Sequence, residues 1–200
     1  MSASASLEFW FEFASTYSYL SAMRIEALAA EAGVAVRWKP FLLGPIFQAQ
    51  GWNTSPFNIY PAKGRYMVRD LQRLAAERGL TFALPGRFPQ NSLLAARLAL
   101  LGGDEGWVAP FTRAVYAAEF AQGADISDRS ILKSILDGLR LDSERLFSRI
   151  AQTDLKDRLR QQTGEAQARG IFGAPSLLVG DELFWGDDRL EQALSWARRG

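Results

Sequence analysis

Residues 7–13 alternate in the manner of a β-strand. Leu7, Phe9, Phe11 and Phe13 share one parity, and Glu8, Trp10 and Glu12 the other. The run leads into Ala14-Ser15-Thr16-Tyr17-Ser18, where a helical stripe begins at Tyr17 and Leu20. The stripe continues through Ile25, Leu28 and Ala32 and closes at Gly33. Residues 34–41 alternate again. Strand, helix and strand at this spacing form a βαβ unit, which demands parallel strands and a right-handed crossover. Ser15 therefore stands between a strand and a helix N-terminus. Serine is a preferred N-cap. The same place, with free N–H groups and the positive end of the helix dipole, also favours anions. A hydroxyl there can donate to a thiolate or carboxylate brought in by a ligand.

The other end of the chain returns to strands. Residues 176–179 and 182–185 are apolar runs separated by Gly180-Asp181, a two-residue hairpin signal. Gly186-Asp187-Asp188-Arg189 then leads into a last helix with Leu190, Leu194 and Trp196 as its apolar positions. Between the two ends the pattern is almost wholly helical. Residues 43–47 predict a short helix, and residues 51–64, rich in Pro, Gly and Asn, predict a long loop suited to covering an organic ligand. Helices are expected over 65–79, over 91–101 with closure at Gly102-Gly103, and over 105–121. Further helices are expected over 127–136 with Ser127 as cap, and over 142–150 and 154–169 with Asp142 and Asp154 as caps. The chain thus reads as an α/β frame, βαβ then ββα, interrupted by helices. The frame takes residues 1–41 and 155–200, and the connecting loop and helical insertion take 42–154.

Composition narrows the chemistry. The 200 residues carry 23 basic and 22 acidic side chains, which argues against a nucleic-acid surface as the main business. No apolar run is long enough to span a membrane. Met1–Ser6 lacks the basic-then-apolar layout of a secretory signal, so a cytoplasmic protein is expected. There is no Cys and no His. Their absence removes a protein thiolate, Cys-x-x-Cys redox chemistry, a zinc–thiolate site, the Ser-His-Asp triad and the commonest metal ligand. No metal site is expected. Catalysis must draw on hydroxyls, carboxylates, Lys, Tyr, backbone dipoles or a bound cofactor.

Four motifs in order carry a resemblance over essentially the whole chain. They are Phe11-Glu12-Phe13-Ala14-Ser15-Thr16-Tyr17-Ser18-Tyr19-Leu20, Pro61-Ala62-Lys63-Gly64-Arg65-Tyr66-Met67, Gly173-Ala174-Pro175-Ser176 and Phe184-Trp185-Gly186-Asp187-Asp188-Arg189-Leu190. With them the sequence resembles the 2-hydroxychromene-2-carboxylate isomerases and kappa-class glutathione transferases, thioredoxin-like relatives of the DsbA oxidoreductases. The family usually has Pro where this chain has Thr16. Ser15 stands where the oxidoreductase relatives carry their attacking cysteine, so the thiol would be borrowed from glutathione as cofactor. The resemblance implies that Ser15 holds the glutathione sulfur. It implies that Ala174, before a cis-Pro175, pairs with the tripeptide backbone, and that Asp187 and Asp188 hold the γ-glutamyl end. Asn53 and Lys63 would meet the glycyl end and the substrate, with Asn58 and Trp185 also at the substrate. The implied activity is glutathione-dependent isomerisation of 2-hydroxychromene-2-carboxylate-type aromatic breakdown products, by a homodimer. The alternatives are a kappa-class transferase or peroxidase and a non-catalytic glutathione-binding module.

Overall fold

The computed structural model describes residues 5–199. Residues 1–4 and 200, the outer ends of the expected frame and most of the Met1–Ser6 stretch, lie outside the described residues. Strand β1 (Ser6–Phe11) runs parallel to β2 (Ala35–Pro40), with Phe9 opposite Trp38. β1 is antiparallel to β3 (Ser176–Val179), which pairs through the Gly180-Asp181 turn with β4 (Glu182–Trp185). The order is β2-β1-β3-β4, so the first strand is interior. An interior strand covered on both faces needs apolar side chains on both parities. Leu7, Phe9 and Phe11 point into the main core, and Trp10 into a second cluster with Phe41, Ile46, Ala166, Ile171 and Leu178.

Helices α1 (Thr16–Ala22) and α2 (Ile25–Ala32) make the first crossover. The expected single helix breaks at Met23-Arg24, where the Arg24 side chain turns to Asp187 and Glu191. The connecting helices are α3 (Leu43–Ala49), α4 (Pro56–Ile59), α5 (Pro61–Glu77), α6 (Leu93–Glu105), α7 (Val108–Phe120), α8 (Arg129–Gly138), α9 (Ser143–Ile150) and α10 (Thr153–Ala168). A short 3-10 turn, Asp187–Arg189, precedes α11 (Leu190–Ala197). One buried cluster joins sheet residues Leu7 and Phe9 to Leu98 of α6, Phe111 of α7, Leu132 of α8 and Leu146 of α9.

Several expected boundaries move. The loop over 51–64 contains α4 and the first turn of α5. Ser55 accepts from the Phe57 N–H, and Pro56 and Pro61 each open a helix, where a missing N–H costs nothing. Gly64 is needed because a Cβ there would lie 2.5 Å from the Phe57 carbonyl oxygen. Gly102-Gly103 does not end α6. A Cβ at Gly102 would lie 2.7 Å from the Trp107 ring, so that glycine admits the indole, and Gly106, at φ +83°, closes the helix. Asp128, rather than Ser127, caps α8 through the Ser130 N–H at 2.8 Å. Asp142 caps α9, whereas Asp154 sits inside the first turn of α10 and pairs with Arg149. Trp196, expected among the apolar positions of the last helix, is 41% exposed. The expected Leu190 and Leu194 are buried, together with Ala193 and Ala197.

Candidate active site

The two chain ends meet at Ser15. Its backbone is extended (φ −91°, ψ 112°), and its Oγ accepts the Ser18 N–H at 3.2 Å, so it caps α1. The same hydroxyl donates to the Ala174 carbonyl at 2.8 Å. A hydroxyl has one proton and two acceptor lone pairs. Turning the proton from Ala174 to a ligand sulfur leaves the bond to Ser18 in place. Capping and sulfur binding, alternatives on paper, are compatible uses of one side chain. Thr16 is buried, with its hydroxyl 3.5 Å from the Met67 sulfur on α5. Tyr17 donates to Asp70 of α5 at 2.9 Å, and burial together with that carboxylate holds its phenol well above its ordinary range.

The Ala174–Pro175 peptide is cis. Its loop is pinned by the Ser176 hydroxyl, which donates to the Gly173 carbonyl at 2.8 Å, and by the Gly186 N–H, which donates to the Pro175 carbonyl at 3.0 Å. A Cβ at Gly173 would collide with the Trp185 indole, so that residue has to be small for the tryptophan to lie against the loop. Trp185 is 53% exposed, and its ring centroid lies 4.9 Å from that of Phe172.

An open cleft of about 2070 Å³ runs past Ser15. It brings together Ser15, Asn53, Lys63, Ala174, Pro175, Trp185, Asp187 and Asp188, drawn from every segment singled out in the sequence. Asn58 is not among its walls. Its amide donates to the Thr54 hydroxyl at 3.1 Å, and the side chain borders a separate apolar pocket with Phe57 and Leu84. Lys63 is exposed, with its ammonium 4.9 Å from the centre of the Tyr60 ring. The two aspartates differ sharply. Asp187 is buried, accepting from Ser21 at 2.8 Å and pairing with Arg24 at 3.3 Å and Arg78 at 2.7 Å. Asp188 is 74% exposed, and its carboxylate lies 3.6 Å from the exposed Arg189 guanidinium, a loose surface pair that leaves it accessible from the cleft.

Sequence reasoning passed over three further residues of the cleft. Arg78, at the end of α5, lines it behind Asp187, and Phe172 extends the Trp185 wall. Glu12 is 5% exposed and lines the cleft three residues before Ser15. Its carboxyl accepts from the Ser92 hydroxyl, and burial raises it to about 7. An acid one residue past the end of the interior strand, directly before the Ser15 turn, was the available signal. Among the described residues no cluster of acidic side chains could hold a metal, and no helix is long and apolar enough to cross a membrane.

Residues 6–195 match the family model described as a DSBA-like thioredoxin domain. The 2-hydroxychromene-2-carboxylate isomerase of Sphingobium xenophagum is 30% identical over 187 residues, covering 92% of this chain and 94% of that protein. The glutathione S-transferase kappa 2 of Caenorhabditis elegans is 27% identical, covering 93% of this chain and 88% of that one. Among solved structures, a 2-hydroxychromene-2-carboxylate isomerase superposes with a TM-score of 0.86 at 29% identity, over 97% of this chain and 95% of that one.

Proposed function

This chain belongs to the DSBA-like thioredoxin domain family, and from that premise we propose that it is a glutathione-dependent isomerase of 2-hydroxychromene-2-carboxylate or a closely similar aromatic breakdown product. The observation that carries the reading is Ser15. In a chain without Cys, a hydroxyl faces the carbonyl before Pro175 at 2.8 Å on the floor of the cleft. Thiol chemistry here needs a thiol from outside, and this hydroxyl is placed to donate to its sulfur. A free thiol has a pKa near 8.5, and the thiolate is the nucleophile. The thiolate adds to a conjugated carbon of the substrate, the ring opens, the former double bond rotates, and elimination returns the thiolate. No glutathione is consumed.

The remaining roles follow from position. The Ala174 backbone takes the tripeptide backbone, and Asp188 takes the γ-glutamyl ammonium. Asp187 supports that end from behind through Arg24 and Arg78. Asn53 and Lys63 supply donors for carboxylates, and Trp185 offers an aromatic wall to a planar substrate. Asn58 enters only if the residue 53–60 segment folds inward over bound substrate. We place the protein in the cytoplasm, where thiols are kept reduced, as a homodimer, a state that sedimentation tests directly. The rival reading, a kappa-class transferase, draws on the Caenorhabditis relative's name and uses the same thiolate on an electrophile.

The test is turnover of 2-hydroxychromene-2-carboxylate with and without glutathione. The reading predicts no catalysis without glutathione, catalysis with it, and full recovery of the free thiol. Catalysis indifferent to glutathione contradicts it. Stoichiometric loss of the thiol into a conjugate makes the protein a transferase instead.

A further inference from the structure

Two buried carboxyls border the cleft, in opposite surroundings. Asp187 is neutralised by Arg24 and Arg78. Among the described residues Glu12 has no ion-pair partner. Its carboxyl has the Ser92 hydroxyl at the start of α6 and the Ala14 backbone N–H as its donors. From α7 it faces Glu119, both of whose carboxylate oxygens are buried without a hydrogen-bond partner, and Tyr116. Asp125, just beyond α7, adds negative charge near Glu119. The Tyr116 hydroxyl is spent on the Glu12 backbone carbonyl at 2.8 Å. That carbonyl also accepts the Ser15 N–H at 3.0 Å, so the acid and the serine belong to one rigid turn. A carboxylate so placed is desolvated, with only two donors to offset the burial, and takes up a proton readily.

We infer that Glu12 is the proton acceptor for the glutathione thiol, removing the S–H proton as the sulfur turns to Ser15. The S–H bond breaks with its electron pair left on sulfur, and an O–H bond forms on the Glu12 carboxylate. The cleft floor carries one negative charge before and after. That charge passes from a site where it is opposed to one where the Ser15 hydroxyl receives it. When the cycle ends and glutathione leaves as the thiol, the proton returns. The inference rests on the glutathione reading above and assigns it a base.

The test counts protons. Glutathione is added at pH 7.5 in weak buffer with a pH indicator, while thiolate absorbance is followed. At that pH nearly all the free thiol is protonated, as its pKa is ~8.5, and most Glu12, titrating at about 7, is ionised. Wild type is expected to show bound thiolate while releasing well under half a proton per glutathione. Glu12→Gln, which removes a buried charge and should fold well, is expected either to release close to one proton or to bind glutathione as the thiol. Ser92→Ala, by withdrawing the donor that steadies the carboxylate, should raise proton release above wild type. A wild-type release close to one proton, or a Glu12→Gln protein with wild-type thiolate and wild-type release, overturns the inference while leaving glutathione binding intact. Failure of wild type to bind glutathione overturns the underlying reading, and the inference with it.

Discussion

Glu12 sets a pH signature that does not depend on any ligand. Its folded-state pKa is about 7, against 4.5 for the ordinary group, and desolvation is the chief cause. The folded protein therefore holds this proton more tightly than the unfolded chain. Its contribution is full below about pH 4.5, declines as pH rises, and is lost above about pH 7. The loss amounts to about 3 kcal/mol. Glu119, raised in the same direction by burial and by Glu12, adds to the decline. Urea midpoints at pH 5 and pH 8 should fall more for wild type than for Glu12→Gln, and an equal fall in both proteins contradicts this account. The acid was readable in the sequence only as a polar member of an alternating strand. What hides it is tertiary: α6 and α7 close over the end of β1, which no local pattern announces.

At the scale of elements, Asp187 ties four pieces of the chain together. It joins the 3-10 turn before α11 to Ser21 of α1, to Arg24 at the α1–α2 break, and to Arg78 at the end of α5. Asp187→Ala takes the carboxylate from part-buried Arg78 and from Arg24, which keeps Glu191, and should cost about 3 kcal/mol, the low end for a broken buried pair. Asp188→Ala should leave stability within about 0.5 kcal/mol of wild type and weaken glutathione binding by roughly tenfold, the equivalent of about 1.4 kcal/mol. Melting curves and calorimetric titration of the two variants separate the roles. Equal destabilisation by both contradicts the division. In the sequence the two aspartates are indistinguishable neighbours, since burial of one depends on arginines 163 and 109 positions away. The strands and most helices, by contrast, were legible, because alternation and the Gly180-Asp181 turn are local signals. Glycines misled where their reason was packing, as at Gly102 beneath Trp107.

At the scale of the whole molecule, the site exists only because the two ends of the chain share one sheet. Ser15 and Ala174, 159 residues apart, meet through β1 and β3. The helices between them share one core with the sheet, so frame and insertion should melt in a single transition. Glutathione at a hundred times its dissociation constant should raise that transition by about 5–10 °C, since binding to the folded state alone contributes about 2.7 kcal/mol. The account turns on one claim, that the Ser15 hydroxyl holds the glutathione sulfur as thiolate. Titrating the ultraviolet thiolate absorbance of bound glutathione against pH, in wild type and Ser15→Ala, tests it most directly. The loss of one hydrogen bond to a charged group, ~1.5–3 kcal/mol, should move the bound thiol's titration up by about one to two pH units. The variant should also lose about 1 kcal/mol of stability as its cap goes. An unmoved titration beside that lowered stability would leave Ser15 as a helix cap and contradict the account.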